Sequence, residues 1–324
     1  MTANIIIIRP LNLLIILVTM YIFKLGLINL FIQNPALNNL NYFLFVSATI
    51  LITAAGYIIN DIYDVKTDSV NDKKLIIGKN ISKKSALNWY YILNLLSIII
   101  IVYVSYFIGK ITLALIFILT IIMLWFYSKS LKSTFLLGNL LVSGIIALSI
   151  TNIYFFDILP VYNLNPSSGI ILKVIIVFSL FAFITNLKRE IIKDVIDING
   201  DRSIDANTLP IKLGVKSTKK IIIFLNTVLI LIISFWQYFQ YSVNNTFFDL
   251  SSFGKDINQI VIWGTDSFSI FYVFSIQILL FIFLFLCLSA NIKKDYIKLS
   301  QIAKIIMMIG ILAIPIFSIS YFIQ

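Results

Sequence analysis

The feature that most constrains this chain is a series of nine long apolar stretches spread over its length. A transmembrane helix needs about 20 mostly apolar residues, because the hydrocarbon core of a bilayer is about 30 Å thick. A helix also pairs its own backbone polar groups, which lipid cannot do. The sequence therefore predicts an all-α polytopic membrane protein, a bundle of nine transmembrane helices with cytoplasmic motif-bearing loops. The predicted spans are 11–32, 41–59, 87–108, 111–127, 136–154, 169–187, 219–241, 267–290 and 303–322.

The composition favours a single integral membrane domain over residues 1–324. The chain is 60% hydrophobic and 12% charged, whereas soluble domains are about half apolar and about a quarter charged. No Pro-, Gly- or Ser-rich linker separates two halves. The polar and aromatic stretch 242–266 is expected to form an outer loop or a short interfacial helix, and we assign it no chemistry.

The basic residues predict which side of the membrane each loop occupies. With the N-terminus inside, all but four of the 25 lysines and arginines lie in or beside segments on that side; the exceptions are Lys24, Lys110, Lys173 and Lys255. Cytoplasmic loops are enriched in these residues, so we expect a cell (inner or plasma) membrane with the C-terminus outside. Membrane orientation and anionic lipids account for the net charge of +11, which needs no nucleic acid. The inner segments are the N-terminus, 60–86, 128–135, 188–218 and 291–302.

The absence of histidine narrows the possible chemistry. The chain has no histidine and one cysteine, Cys287, in an apolar stretch. This excludes an internal disulfide, a Ser-His-Asp triad and a metal site built from histidine or cysteine. Any metal site must use oxygen ligands, which suits Mg²⁺ or another hard cation.

The acidic residues are concentrated in two predicted cytoplasmic segments. Only 14 acids occur in the chain, and nine of them lie here. In the first segment Asn60, Asp64 and Asp68, the first acidic row, are spaced to lie along one helix face. Because stacked carboxylates repel, we expect a cation between them. The nine acids are Asp61, Asp64, Asp68, Asp72, Glu190, Asp194, Asp197, Asp201 and Asp205.

The second segment repeats this arrangement where the sixth span ends. Asp194, Asp197 and Asp201, the second acidic row, also share one helix face. Two such rows facing each other predict Mg²⁺ ions bridged by a diphosphate, because Mg²⁺ commonly takes one or two carboxylates plus phosphate oxygens and water. The alternative is a pair of solvated loops in which acids balance lysines.

These motifs resemble the UbiA superfamily of intramembrane prenyltransferases. Residues 60–68 match its NDxxDxxxD motif and residues 197–201 resemble its DxxxD motif. Residues 9–12 resemble RPxN, and residues 127–139 resemble the YSxxLK…GN block. The stretch 189–211 is similar to the REIxKDxxDxxGD…TLPI form of digeranylgeranylglyceryl phosphate synthase-like members.

The resemblance implies transfer of an isoprenyl group, here geranylgeranyl, from its diphosphate to a lipid acceptor, here geranylgeranylglyceryl phosphate. Residues 71–82 depart from the family pattern, since prolines are missing and lysine stands in place of arginine. This bears on substrate identity more than on reaction type. Membrane lipids are the expected surroundings, and no obligate protein partner is evident.

The same resemblance implies roles for individual residues. Catalysis is assigned to Asp64, Asp68, Asp197 and Asp201. Mg²⁺ binding is assigned to Asn60, Asp61, Asp64, Asp68, Asp194, Asp197 and Asp201. Diphosphate binding is assigned to Lys73, Lys74, Lys132 and Asn60. Lys73 and Lys74 could instead be ordinary inside-positive lysines, and the group that takes the acceptor proton stays open between Asp64, Asp68, Glu190 and diphosphate.

Three residues within or at the ends of spans carry separate expectations. Lys24 is expected to snorkel to the outer interface. Tyr127 is expected to be an interfacial anchor rather than a group that stabilises a cation. Asn139 is expected to serve function or to form a helix–helix hydrogen bond.

Two other functions compete with this interpretation. An aromatic acceptor, such as a quinone precursor, would need stacking faces rather than extra cations. A transporter would carry charges midway along its spans and broken helices in related halves, whereas the acids here lie at helix ends.

Overall fold

The computed structural model describes residues 6–71, 75–244 and 260–323, with side chains to Tyr321. In these ranges nine helices are long and apolar enough to cross a membrane, which confirms the predicted number and order. The predicted diphosphate ligands Lys73 and Lys74, and most of the 242–266 stretch, lie outside the described residues. The helices are α1 Pro10–Phe31, α2 Asn39–Val70, α3 Lys83–Phe107, α4 Ile111–Lys129, α5 Leu137–Asp157, α6 Ser168–Ile196, α7 Leu209–Asn244, α8 Ser267–Ser289 and α9 Lys293–Tyr321.

Local sequence signals fix where several helices begin. The side chain of Asn38 accepts a hydrogen bond from the Asn41 N–H at 2.9 Å and caps α2. Ser82 and Asp266 cap α3 and α8 in the same way. Such caps satisfy N–H groups that have no partner inside the helix. At α1, Pro10 occupies the first turn, where a missing N–H costs nothing.

Two helices continue well beyond their predicted ends, and both carry acidic residues there. The sequence predicts that the second span ends at 59 and the sixth at 187, but α2 continues to Val70 and α6 to Ile196. Hydropathy marks only the end of the apolar stretch, whereas backbone hydrogen bonds carry the helix onward into polar surroundings. A short helix, Ile198–Arg202, follows α6 directly.

The bundle buries its apolar side chains between neighbouring helices. α2 packs against α3 and α4, α5 against α6, and α6 and α8 against α9. Large apolar side chains such as Phe235, Phe271 and Phe285 are exposed on the outside. In a membrane protein these exposed faces contact lipid.

Lys24 does not snorkel, contrary to the prediction. It is 4% exposed and donates to Asp157 Oδ2 at 2.7 Å and to the Leu37 carbonyl at 3.0 Å. Asp157, which is fully buried, also accepts from the Leu37 N–H at 2.8 Å. The ammonium lies 4.8 Å from the centre of the Tyr42 ring. A buried charge is tolerated only with such partners, and this one fixes the α1–α2 connection onto α5.

Lys188 is a second departure, since the sequence places it among the cytoplasmic lysines. It is fully buried inside α6 and donates to Asn226 Oδ1 of α7 at 2.7 Å. Its ammonium lies 3.8 Å from the centre of the Phe283 ring of α8. Lys188 therefore joins three helices rather than marking a loop.

Candidate active site

A polar cavity opens at the end of the bundle where α2 and α6 extend past their apolar segments. It encloses about 950 Å³, including the part open to solvent. Asparagine, threonine, tyrosine and lysine side chains complete its walls. The carboxylates that line it are Asp64, Asp68, Glu190, Asp194, Asp197 and Asp201. Both acidic rows therefore face one space, as the spacing of their residues predicts.

The first acidic row is held by a network centred on Asp64. Asn60 donates to Asp64 Oδ2 at 2.6 Å, one helical turn away. Lys132, from the segment between α4 and α5, forms an ion pair with the other oxygen of Asp64. The Thr67 hydroxyl donates to the Asp64 carbonyl at 3.0 Å. The lysine ammonium thus occupies the position beside the carboxylate where a cation was expected.

Two of the three carboxylates of the second acidic row accept hydrogen bonds from neighbouring elements, and an ion pair lies beside them on α6. Asn139 of α5 donates to Asp194 Oδ2 at 2.9 Å, the helix–helix hydrogen bond that was expected of it. Thr208 donates to Asp201 Oδ2 at 3.3 Å. Lys193 donates to Glu190 at 2.5 Å. The row therefore lies on rigid structure, which suits a site that must hold charged groups in a fixed geometry.

The two rows are joined directly through Asn71 and Gly200. The Gly200 N–H donates to Asn71 Oδ1 at 3.0 Å, and Asn71 Nδ2 donates to the Asp197 carbonyl at 3.3 Å. A Cβ added at Gly200 would lie 2.2 Å from Asn71 Nδ2 and 2.7 Å from the Thr67 carbonyl oxygen. Only glycine permits this close approach of the short helix to the end of α2.

The predicted site residues divide into three groups. Asp61 is not among the residues that line the cavity, and it forms an ion pair at 2.7 Å with Arg9, which does line it. Lys73 and Lys74 fall in the undescribed residues 72–74. The remaining seven line the cavity: Asn60, Asp64, Asp68, Lys132, Asp194, Asp197 and Asp201.

Several lining residues were not predicted. Tyr127 lines the cavity, so its prediction as an interfacial anchor is wrong. Arg9 and Lys193 also line it, although no role beyond their motifs is predicted for them from the sequence. Asn71 was noted only as the start of an atypical segment. Arg9 could have been found from its RPxN motif, whereas contacts over 126 residues, such as that of Asn71 with Asp197, leave no local signal.

The donor set fits a hard divalent cation. All side-chain donors of the two rows are oxygen, apart from the amide nitrogen of Asn60, which bonds to Asp64. Six carboxylates line the cavity, against three basic side chains, Arg9, Lys132 and Lys193. Within the described ranges no three acidic side chains form a ready-made metal cluster. Mg²⁺ commonly takes one or two carboxylates and completes its shell with water and phosphate.

A second cavity shares no lining residue with the first. It lies between α6, α7, α8 and α9, has a volume of about 590 Å³ including the part open to its surroundings, and has an apolar lining. Phe178, Phe181, Trp236 and Phe317 supply its aromatic walls. No described residue lines both cavities, so the structure does not show a continuous apolar groove that reaches the acidic rows.

We compared the sequence and the fold of this chain with those of known proteins. Residues 14–253 match the model of the UbiA prenyltransferase family. A digeranylgeranylglyceryl phosphate synthase of Saccharolobus solfataricus is 38% identical over 189 residues, which are 57% of this chain and 60% of that protein. The chain thus spans about 60% of the length of the curated relatives it matches.

Two solved structures share the fold at low sequence identity. A structure described as giving insights into digeranylgeranylglyceryl phosphate synthase in membranes has a TM-score of 0.63 at 23% identity, covering 98% of both chains. A UbiA homologue from Archaeoglobus fulgidus bound to GPP and Mg²⁺ has a TM-score of 0.52 at 15% identity, covering 97% of this chain and all of that one. With three quarters of its length matched by the family model, this multi-pass membrane chain belongs to the UbiA prenyltransferase family.

Proposed function

We propose that this protein is a Mg²⁺-dependent intramembrane prenyltransferase that moves a geranylgeranyl group from its diphosphate to geranylgeranylglyceryl phosphate. The observation that carries the proposal is the pair of acidic rows lining one cavity at the ends of α2 and α6. It is supported by family membership, by relatives named digeranylgeranylglyceryl phosphate synthase and by the A. fulgidus homologue with GPP and Mg²⁺. An aromatic acceptor has no such support.

In the reaction the bond between C1 of the prenyl chain and the diphosphate oxygen breaks. A new bond joins C1 to the acceptor hydroxyl oxygen, and the hydroxyl proton leaves. Bound Mg²⁺ would neutralise the charge that grows on the departing diphosphate. The proposed ligands are Asn60, Asp64, Asp68, Asp194, Asp197 and Asp201, with Asp61 acting indirectly through Arg9.

The chain's own basic residues would orient the diphosphate. Lys132 lies in the cavity against Asp64, so its ammonium is placed to contact a phosphate oxygen that approaches this row. Such positively charged donors stabilise an anion most where water is scarce. Lys73 and Lys74 remain proposed contacts from the undescribed residues. The acceptor proton would go to Asp64, Asp68, Glu190 or the departing diphosphate.

The remaining proposals concern placement in the cell. The chain forms one domain over residues 1–324 in the cell membrane. The basic residues favour a cytoplasmic cavity, so the diphosphate would be bound and released on the cytoplasmic side.

The test is transfer by the full-length protein in lipid nanodiscs. Radiolabelled geranylgeranyl diphosphate, Mg²⁺ and a panel of phosphorylated and aromatic acceptors are supplied, and both product and diphosphate are measured. Asp64→Asn and Asp197→Asn, which keep side-chain size, should each lower transfer at least about a hundredfold. Asp205→Asn is the matched control because Asp205 is an exposed acid near the same row.

Two results would contradict the proposal. One is a folded wild-type protein that releases no diphosphate with any acceptor. The other is an Asp64→Asn variant that transfers as fast as the Asp205→Asn control.

A further inference from the structure

Four basic side chains gather beside the acidic cavity, where α1, α6 and α9 meet. We call Arg9, Arg189, Lys193 and Lys304 the basic cluster. Lys304 of α9 lies within electrostatic range of Arg189, and Lys193 lies within range of both Arg9 and Arg189. Like charges repel at such range, so an arrangement of this kind needs anions to stabilise it.

Within the part of the chain that the structure describes, the carboxylates ion-paired with the cluster are fewer than its cations. Arg9 pairs with Asp61 at 2.7 Å. Lys193 and Arg189 share one carboxylate, Glu190, at 2.5 and 3.4 Å. Among the described residues, two carboxylates are thus the ion-pair partners of three of the four cations, and Asp194 of the second acidic row also lies within electrostatic range of Lys193.

Two of the cations also have N–H groups available for further hydrogen bonds. Arg189 Nε is buried, and it meets no hydrogen-bond acceptor among the residues that the structure describes. Lys304 donates to a neutral acceptor, Asn12 Oδ1, at 3.1 Å. A buried donor without an acceptor costs about 1 to 3 kcal/mol, so an added anion with several oxygens would be stabilised here.

The backbone and the neighbouring side chains hold Arg9 in place. Its backbone is left-handed, with φ of 52°, a region that non-glycine residues rarely adopt. Pro10 follows it and begins α1. Its guanidinium lies 4.7 Å from the centre of the Tyr57 ring of α2. Arg9 lines the acidic cavity as well, so the cluster and the acidic rows are adjacent parts of one site.

We propose that the basic cluster binds the phosphate monoester of the lipid acceptor and so selects phosphorylated acceptors over uncharged ones. The inference rests on the proposed transferase function. A metal ion and its diphosphate suit the carboxylate rows, whereas a lone phosphate suits arginine and lysine directly. Two anions would then be held side by side, each by groups of opposite charge.

The test uses full-length protein in nanodiscs and two acceptors that differ only in the phosphate. One is a glycerol phosphate ether carrying one geranylgeranyl chain, and the other is its dephosphorylated alcohol. Lys304→Gln and Arg189→Gln each remove one cluster charge. Lys298→Gln is the matched control, since Lys298 is an exposed lysine on the same helix as Lys304.

The expected result is a rise in KM for the phosphorylated acceptor of about tenfold in each cluster variant. The KM for geranylgeranyl diphosphate should change less than about twofold, and Lys298→Gln should behave as wild type. Lys304→Arg, which keeps the charge, should restore most of the loss. Inorganic phosphate should compete weakly, because it lacks the lipid chain.

A binding measurement separates this inference from the proposed function. Asp64→Asn is expected to lose transfer yet retain the phosphorylated acceptor on the purified protein, while Asp64→Asn/Lys304→Gln retains about tenfold less. If the wild-type protein transfers no prenyl group, the proposed function fails, but the retention of the phosphorylated acceptor still tests whether the basic cluster binds phosphate. Equal use of both acceptors by wild type, or equal retention by these two variants when melting shows both folded, would overturn the inference.

Discussion

Replacing Gly200 by alanine is expected to separate the two acidic rows without removing any charged group. The added Cβ would lie 2.2 Å from Asn71 Nδ2 and 2.7 Å from the Thr67 carbonyl oxygen, and ordinary contacts begin at 3.4 Å. The short helix Ile198–Arg202 must therefore retreat by about 1 Å. That helix carries Asp201, so this carboxylate of the second row moves with it.

The size of the effect follows from the bonds that such a shift breaks. Gly200 N–H to Asn71 and Asn71 to the Asp197 carbonyl are 3.0 and 3.3 Å long, and a further 1 Å leaves neither intact. Each hydrogen bond contributes about 0.5 to 1.5 kcal/mol, so stability falls by about 1 to 3 kcal/mol. Because a 1 Å misplacement of reacting groups can cost about a hundredfold in rate, prenyl transfer should fall by that order.

The assay is steady-state transfer in nanodiscs, with thermal unfolding measured in parallel. Gly144→Ala is the matched control, because a Cβ there meets nothing within 4 Å and α5 is a helix that alanine favours. Adding Asn71→Ala to Gly200→Ala relieves only the side-chain contact, so the backbone clash with Thr67 should keep the rate low. Wild-type rates in Gly200→Ala would refute the idea that the rows depend on this contact.

Three further outcomes are expected. Lys24→Met should lower the free energy of unfolding by about 3 kcal/mol, because it leaves the Asp157 carboxylate buried without its cation. The double variant Lys24→Met/Asp157→Leu should recover most of this stability in thermal melts. No recovery in the double variant would contradict the ion-pair account. Asn139→Ala should lower transfer about tenfold by freeing Asp194 from its 2.9 Å hydrogen bond, whereas Ser149→Ala on the same helix should not. Chelation by EDTA should stop transfer, and Mg²⁺ should restore it while Na⁺ does not, as measured by diphosphate release.

The fold was predictable because each transmembrane helix is marked by its own run of apolar residues in the sequence. About 20 consecutive apolar residues suffice to identify a membrane helix. The alternation of loops rich and poor in lysine and arginine supports the predicted order of the helices. The rows were predictable for a related reason. A spacing of three or four residues sets Asp194, Asp197 and Asp201 on one face, and an even number of spans between two helix exits returns both to one side of the bundle.

The contacts that complete the site could not be predicted in this way. Lys24 and Asp157 are 133 positions apart, and Asn71 contacts Asp197 across 126. Nothing in a local pattern distinguishes Lys24 paired inside the bundle from a lysine that reaches the interface. Tyr127 has the same ambiguity, since a tyrosine at a helix end suits both an interface and a cavity wall.

The length of α2 has a consequence for how lipid substrates would be handled. Its 32 residues extend about 48 Å, against a hydrocarbon layer of about 30 Å. The first acidic row, which ends at Asp68, therefore lies on the polar end of this helix, beyond its apolar segment. The tail of a prenyl lipid would then stay in the bilayer while its head group reaches the cavity lined by the acidic rows. Under the proposed function, a lipid substrate would not have to leave the bilayer for its head group to reach the acidic rows.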